Sequence, residues 1–218
     1  MKSLFRVGSV FVGALLLAGA NLNNAAAQTI SFSDARIGTV SAPWRCGTTG
    51  RGTPHWSIVN DTESGKTSRL LKQSGVADFP WCVHQDTRLQ DGFVETRFKP
   101  LSGRTDQASG VVWRWKDKDN YYVARANALE NNVALYYTEA GERHTIAYVD
   151  APVATGQWRT LRVEFSGSQI RVLLDGKQYI EASDKHLTAA GPVGVWTKAD
   201  SVTLFESLSF GLAGPSRP

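Results

Sequence analysis

The sequence predicts an all-β protein arranged as a sandwich or a barrel. From Phe93 onward, short runs of alternating apolar and polar residues are broken by turn residues about every ten positions. That part of the sequence has no amphipathic helix pattern of useful length. The chain has 218 residues, of which 42% are hydrophobic, and is long enough to bury a sizeable core. We therefore expect many short strands around an apolar interior.

Three runs show the alternation of half-buried strands most clearly. They lie at 111–115, 161–165 and 170–174, where apolar residues fill at least every second position. Asp175 and Gly176 follow the last run and supply the positive φ that a tight hairpin turn requires. The strands at roughly 169–174 and 177–181 should therefore pair.

A second hairpin is predicted around the polar turn 116–120. If this turn sets Trp115 opposite Tyr122, alternation places Trp113 and Trp115 on the core face and Arg114 and Arg125 on the opposite face. The front part of the chain, residues 28–92, alternates less but contains three tryptophans. We expect it to pack onto the sandwich, because large rings are costly to leave in water.

The first 27 residues have the order of a secretory signal peptide. Lys2 and Arg6 precede an apolar run from 7 to 20, and Ala25–Ala27 supply a small-residue cleavage site. The run is shorter than the roughly 20 residues that span a bilayer, and no cysteine follows it for lipid attachment. The pattern favours a cleaved signal over a retained membrane anchor.

We therefore expect a signal peptide at 1–27, a single domain at 28–210 and a flexible tail at 211–218, in a periplasmic or secreted protein. Loss of Lys2 and Arg6, with no acidic residue in the segment, lowers the formal net charge from +4 to +2. Binding to nucleic acid calls for a basic cluster, and the sequence has none. An exported compartment allows Cys46 and Cys82 to form a disulfide, the alternative being two buried thiols.

Five segments together resemble those of concanavalin A-like lectin/glucanase domains. They are Gly110–Arg114, Asn120–Asn127, Trp158–Val163, Val172–Gly176 and Gly191–Thr197. Within that superfamily they look most like laminin-G-like domains and the bacterial 3-keto-disaccharide hydrolase type, domain of unknown function 1080. The resemblance implies a jelly roll of two stacked antiparallel sheets, with a concave face on which relatives hold saccharides.

The polar face of the predicted sheet is our candidate saccharide site. Arginine forks and amides bond to hydroxyl groups, while aromatic rings stack on the CH face of a sugar. An ordinary solvated sheet face is the alternative, and Trp196 belongs either to the core or to the concave rim. The predicted ligand-binding residues are Arg114, Arg125, Asn127, Asn132, Tyr136 and Trp196.

Catalysis is less clearly signalled. The Glu-x-Asp-x-x-Glu motif of the superfamily's glucanases is absent, so no catalytic pair is carried over. His55, His84 and His144, with Trp56, could line an edge of the site as acid or base, or be structural. Cleavage of 3-keto-disaccharides by hydrolysis or elimination, and a structural or protein-binding role in the envelope, stay as alternatives to saccharide binding.

No metal ligands are predicted from the cysteines, because their spacing does not match a zinc site. Calcium is the one cofactor that the resemblance suggests, since laminin-G-like domains often bind it. The turn Asp117–Asn120 has alternating oxygen ligands, but a calcium loop needs more carboxylates, and an ordinary polar turn is the favoured interpretation.

Overall fold

The computed structural model describes residues 27–60 and 68–212, and these residues contain strands and no helix. The strands are β1 (Gln28–Ser31), β2 (Trp44–Thr53), β3 (Trp56–Asn60), β4 (Arg69–Gln73), β5 (Val76–Leu89), β6 (Gly92–Ser102), β7 (Ala108–Asp117), β8 (Asn120–Asn127), β9 (Asn132–Glu139), β10 (Glu142–Asp150), β11 (Arg159–Ser166), β12 (Gln169–Leu174), β13 (Lys177–Ser183), β14 (Gly191–Thr197) and β15 (Val202–Gly211). The predicted all-β class is confirmed.

Two antiparallel sheets stack face to face as a sandwich. The front sheet has the order β10-β9-β8-β7-β14-β5-β2, and the back sheet has the order β13-β12-β11-β6-β15-β4-β3, with β1 also paired to β15. Neighbours such as β14 and β7 are far apart in sequence, so the sheets are joined by long crossings between them. This is the two-sheet arrangement of a jelly roll.

The main core lies between the sheets and is formed by every second residue of each strand. Trp113 sits at its centre, with its ring centroid 5.3 Å from that of Tyr122 on the front sheet and 5.6 Å from that of Phe165 on the back sheet. All three side chains are at most 2% exposed. Burial of apolar side chains on this scale is what holds the two sheets together.

The hairpin predicted at Asp175 and Gly176 is confirmed. Strands β12 and β13 pair on either side of it, and both turn residues have positive φ, 50° and 79°. The Asp175 carboxylate also accepts a hydrogen bond of 2.8 Å from the backbone N–H of Thr160, which ties the turn to β11. The local Asp-Gly sequence was thus sufficient to predict this element.

The register predicted for β7 and β8 is wrong by two residues. Tyr122 pairs with Trp113, not with Trp115, and the pairing is interrupted between Trp113 and Asp117. Arg114 lies in this irregular stretch with a φ of 47°. Because one residue leaves the extended conformation, the alternation changes phase and Trp115 moves from the core face to the outer face.

The front part of the chain packs onto the sandwich as expected, because β2 and β5 extend the front sheet. Cys46 and Cys82 lie directly opposite each other on these two strands and form a disulfide. The predicted pairing is therefore confirmed. The 36-residue separation makes this a cross-link between strands that are distant in sequence.

Most of the predicted signal peptide, residues 1–26, and the tail beyond Leu212 lie outside the described residues. Gly211, where the tail was predicted to begin, is the last residue of β15. Among the residues that the structure does describe, there is no helix long and apolar enough to cross a membrane.

Candidate functional site

The outer face of the front sheet carries a second buried cluster, which we call the aromatic cluster. Its rings come from the five inner strands of the sheet, and small residues such as Val112, Val123 and Ala134 lie among them. Except for the partly exposed Phe79, every ring is at most 5% exposed. The aromatic cluster comprises Phe79, Trp81, Trp115, Tyr121, Tyr136 and Trp196.

Arg143 shows that this outer face is concave. Its guanidinium lies 4.3 Å from the ring centroid of Tyr136 on β9, 4.8 Å from that of Phe79 on β5 and 6.0 Å from that of Trp196 on β14. In a flat sheet β10 and β5, five strand spacings apart, would be separated by roughly 24 Å. Such contacts require the sheet to curl around the side chain, as the resemblance implied.

A second arginine approaches from the opposite edge of the sheet. Arg45 on β2 places its guanidinium 5.6 Å from the ring centroid of Trp115. Cations over indole and phenol faces are attracted by the negative ring surface. Burial lowers the pKa of Arg143, because desolvation disfavours its charge, with the neighbouring charge of Arg125 acting in the same direction.

Arg125 organises the polar end of the concave face. Its guanidinium donates to Asn132 Oδ1 at 2.7 Å, to Glu130 Oε2 at 2.8 Å and to the Tyr136 hydroxyl at 3.2 Å. Asn132 in turn donates to Glu130 Oε2 at 3.0 Å and to the hydroxyl of Tyr148. These five side chains form one hydrogen-bonded unit, which we call the Arg125 network.

The Arg125 network stays ionised at neutral pH. Partial burial disfavours the Glu130 carboxylate, but hydrogen bonds from Asn132 and Arg125 outweigh it and lower the pKa of Glu130. For Arg125, burial is likewise outweighed by interactions with Tyr136 and Glu130, and its pKa is raised. A buried cation is thus held against a carboxylate whose side chain is 37% exposed.

Asn127 belongs to an adjoining group of charges. Its amide donates to Asp106 Oδ1 at 2.7 Å and its oxygen accepts the Leu129 N–H at 3.0 Å. The second oxygen of the fully buried Asp106 lies 2.5 Å from Lys198 Nζ. The amide of Asn127 is therefore engaged within the protein.

The loop that presents Asp106 is held by Asp200. The Asp200 carboxylate accepts hydrogen bonds from the backbone N–H groups of Arg104, Thr105 and Asp106 at 2.8 to 3.2 Å. Slight burial opposes ionisation, but these backbone bonds lower the pKa of Asp200.

Tyr148 is the exposed aromatic ring of this surface. It lies on the edge strand β10, opposite Ala134, which packs among the rings of the aromatic cluster, and is 52% exposed. Tyr148 was not among the predicted ligand-binding residues. Its position opposite an outer-face residue of β9 becomes visible only once β9 and β10 are paired.

Arg114 does not lie with the other predicted residues, and its assignment to the shared polar face is wrong. Its positive φ turns it toward the loops at the end of the sandwich, where it donates to the carbonyls of Gln90, Leu187 and Gly167 at 2.8 to 2.9 Å. It also forms an ion pair of 3.1 Å with Asp91. The structure thus brings Arg125, Asn127, Asn132 and Tyr136 together and places Trp196 near them in the aromatic cluster.

An open cleft of about 610 Å³ lies beside Arg114, at the opposite end of the front sheet from the Arg125 network. We call it the His186 cleft. Residues from β5, β7, β14 and the segment before β14 line it. Those used below are Gln85, Arg88, Trp115, Lys116, His186, Leu187 and Pro192.

His186 is oriented by a carboxylate. Its Nδ1 lies 2.8 Å from Asp184 Oδ2, its backbone N–H donates to Asp184 Oδ1 at 3.0 Å, and Tyr122 donates its hydroxyl proton to the same carboxylate. Partial burial is outweighed by these bonds, so the pKa of Asp184 is lowered. This pair was not predicted, although residues 184–186 have the Asp-x-His spacing.

The histidines that were singled out do not meet at one edge of the concave face. His84 packs edge-on against Trp44 at 5.1 Å between ring centroids, and His144 stacks on Tyr137 at 4.7 Å. Both pair with neighbours that pack on the main core. Burial lowers the pKa of His84, partly offset by Asp86.

His55 and Trp56 line a separate hollow of about 370 Å³, together with Trp44 and Cys46 of β2. These two residues are therefore also remote from the Arg125 network.

The polar turn Asp117–Asn120 is closed by its own hydrogen bonds. Asp117 Oδ1 accepts from the backbone N–H of Asp119 at 2.8 Å and from the Asn120 amide at 2.7 Å. Across residues 27–60 and 68–212, no group of three or more His, Cys, Asp or Glu side chains is placed to hold a metal ion.

No protein-family model matches the chain, and no curated protein sequence matches it. Solved structures do. The carbohydrate-binding module CBM66 from Bacillus subtilis superposes with a TM-score of 0.59 at 20% identity, covering 72% of this chain and 93% of that one.

Two further structures have the same architecture. A prokaryotic β-1,3-1,4-glucanase (lichenase) from a mouse hindgut metagenome gives a TM-score of 0.56 at 13% identity, covering 85% of this chain and 98% of that one. The carbohydrate recognition domain of Emp47p gives 0.54 at 14%, covering 85% and 95%. The chain therefore has the concanavalin A-like jelly-roll fold. Its predicted closer likeness to the laminin-G-like and 3-keto-disaccharide hydrolase domains stays a prediction.

Proposed function

We propose that this concanavalin A-like jelly roll is an exported protein that binds a saccharide on the concave face of its front sheet, at the Arg125 network. The observation that carries the proposal is an exposed ring next to an ionised, hydrogen-bonded cluster: Tyr148, 52% exposed, is bonded to Asn132 within the network. Sugar sites combine a ring for the CH face with fixed polar groups for the hydroxyls.

Burial divides the network into contacting and positioning groups. The side chain of Glu130 is 37% exposed and that of Arg125 only 3%. Asn132 is fully buried, whereas the nearby Lys198 side chain is 26% exposed. We therefore assign ligand contact to Tyr148, Glu130 and Lys198, and assign Arg125 and Asn132 to holding Glu130 and Tyr148 in place.

Two of the predicted ligand-binding residues, Tyr136 and Trp196, take a supporting role. Tyr136 is 4% exposed and Trp196 is fully buried, so their rings support the site from within the aromatic cluster and Tyr148 takes the stacking role. The names of the similar structures, a carbohydrate-binding module and a carbohydrate recognition domain, support a saccharide as the ligand class. The export of the protein rests on the sequence of residues 1–27.

The test is a glycan array followed by calorimetry with the best ligand. Tyr148→Ala and Glu130→Gln should each weaken binding about tenfold, the scale of losing one aromatic anchor or one charge-assisted hydrogen bond. Ile37→Ala removes another exposed apolar side chain, next to Gly38, which bonds to Ile58 of the back sheet, and should leave the affinity unchanged. Absence of any saccharide ligand, or full affinity in both site variants, would refute the proposal.

A second candidate, cleavage of 3-keto-glycosides, is favoured by one observation. His186 lines an open cleft with its Nδ1 held by Asp184, an arrangement that leaves Nε2 to act as a base. Incubation of the purified protein with 3-keto-disaccharides should then release sugar, and His186→Gln should abolish the release. Equal release by the variant, or none by the native protein, would exclude this role for His186.

A further inference from the structure

The His186 cleft carries charge of one sign. Arg88 and Lys116 are both exposed, and no carboxylate is among the residues that line the cleft. Within the described part of the chain, neither cation forms an ion pair. Both charges are therefore available to a ligand.

This distribution is local to the cleft. A third hollow, of about 430 Å³, contains both signs of charge, because Asp78 and Asp200 line it with Arg51, and Arg51 lies 3.8 Å from Asp78. The mature chain has a formal charge of only +2 if residues 1–27 are removed. Of these two hollows, the His186 cleft is thus the one whose lining combines two unpaired cations with no acid.

The charged groups behind the cleft are already satisfied. Arg114 bonds three backbone carbonyls and pairs with Asp91, so it shapes the wall. Asp184 accepts from Tyr122 and His186 and does not compete for Arg88 or Lys116. Neither carboxylate lines the cleft, and neither forms an ion pair with Arg88 or Lys116.

The remaining surface of the cleft suits a sugar ring. Leu187 and Pro192 are partly exposed and provide apolar surface, and Gln85 and His186 provide groups that bond to hydroxyls. A volume of about 610 Å³ is within the range of small-molecule sites. Apolar walls, directed polar groups and two cations together match a sugar ring with an anionic substituent.

We infer that the His186 cleft is a second ligand site, which binds a saccharide carrying a carboxylate or sulfate group through Arg88 and Lys116. The choice of a saccharide as the ligand rests on the proposed function. The location of this second site does not, since the Arg125 network lies at the other end of the sheet. Arg88 offers a fork that can hold such a group with two parallel bonds, and Lys116 adds a point charge.

The purified protein is titrated with three disaccharides, and binding is followed by NMR and calorimetry. The first disaccharide contains a glucuronate, the second is its carboxyl-reduced neutral form, and the third carries a sulfate ester. At least one anionic form should bind about tenfold more tightly than the neutral form, with shifts at Trp115 and His186. The double variant Arg88→Gln, Lys116→Gln should remove the preference, because two partly exposed ion pairs are together worth about tenfold in affinity. Lys177→Gln, an exposed lysine on the β12–β13 hairpin, is the matched control.

Different results would refute the two proposals. Tyr148→Ala should leave the anionic preference intact, and the double variant should leave neutral saccharide binding at the Arg125 network intact. Equal affinity for the neutral and both anionic disaccharides, or a preference that survives the double variant, overturns the His186 cleft as an anionic site. Which anionic disaccharide binds identifies the substituent as carboxylate or sulfate.

Discussion

Arg114 and Arg125 are both buried arginines of the front sheet, each 2% exposed, yet they occupy different chemical settings. Arg114 bonds to backbone carbonyls from three loops. Arg125 bonds to side chains only, those of Glu130, Asn132 and Tyr136. The first arrangement locks the chain in place, whereas the second fixes functional groups that are themselves partly exposed. Burial alone does not distinguish a structural arginine from one in a site; the identity of the acceptors does.

The largest effect should come from Arg114→Met. Removing the guanidinium leaves three carbonyls without their donor and releases loops from three parts of the chain, so the free energy of unfolding should fall by about 3 kcal/mol. Urea denaturation measures it. Arg114→Lys, which keeps the charge but loses the fork, should recover less than half of the loss. Saccharide affinity at the Arg125 network should not change, and a loss there would mean that the two regions are coupled.

Arg125→Met should destabilise the protein by about 2 kcal/mol, less than Arg114→Met, because its partner Glu130 is partly exposed and is rehydrated when the pair is broken. Saccharide binding should be lost along with it. The loss of unfolding free energy caused by Glu130→Gln should be smaller in the Arg125→Met background, since the two groups act as a pair. Full additivity in this double-mutant cycle would show that the ion pair does not organise the site.

The smallest expected effect is on the pH dependence of stability, which we compare between the two ends of the front sheet. Asp184, near Arg114, and Glu130, beside Arg125, both have lowered pKa values. A lowered folded-state pKa contributes stability above the unfolded value, about 4 for a carboxyl group, which is lost as the pH falls through the folded value. Asp184→Asn and Glu130→Gln should each reduce the loss of stability between about pH 5 and pH 2.

The matched control for the pH series is Asp34→Asn, whose carboxylate has no hydrogen bond among the described residues. Denaturation midpoints at a series of pH values give the comparison. An acid dependence as steep in both site variants as in the native protein would contradict the proposed electrostatic roles.

Local patterns predicted the parts of the fold that depend on neighbouring residues. The Asp175-Gly176 turn follows from backbone preference. The common face of Arg125, Asn127, Asn132 and Tyr136 follows from the two-residue period of strands and a short connection between β8 and β9. These residues were predicted correctly as neighbours.

The errors on β7 have a single physical origin. The positive φ of Arg114, which is not signalled by a glycine, shifts the alternation by one residue, so that Trp115 and Arg114 both went to the wrong place. Tyr148 and His186 were missed for another reason. Their importance depends on partners in distant segments, Asn132 for one and Tyr122 with Asp184 for the other. Such partners are set by tertiary packing.

The inward orientation of the Arg143 and Arg45 side chains also affects whether two molecules can pair through their sheet edges. They stand on β10 and β2, the two edge strands of the front sheet, where unpaired backbone groups are a template for a strand from another molecule. Each edge carries an arginine that leans over the aromatic cluster. An incoming strand would have to displace or desolvate that charge. The contacts that fill the concave face therefore also protect the sheet against edge-to-edge aggregation.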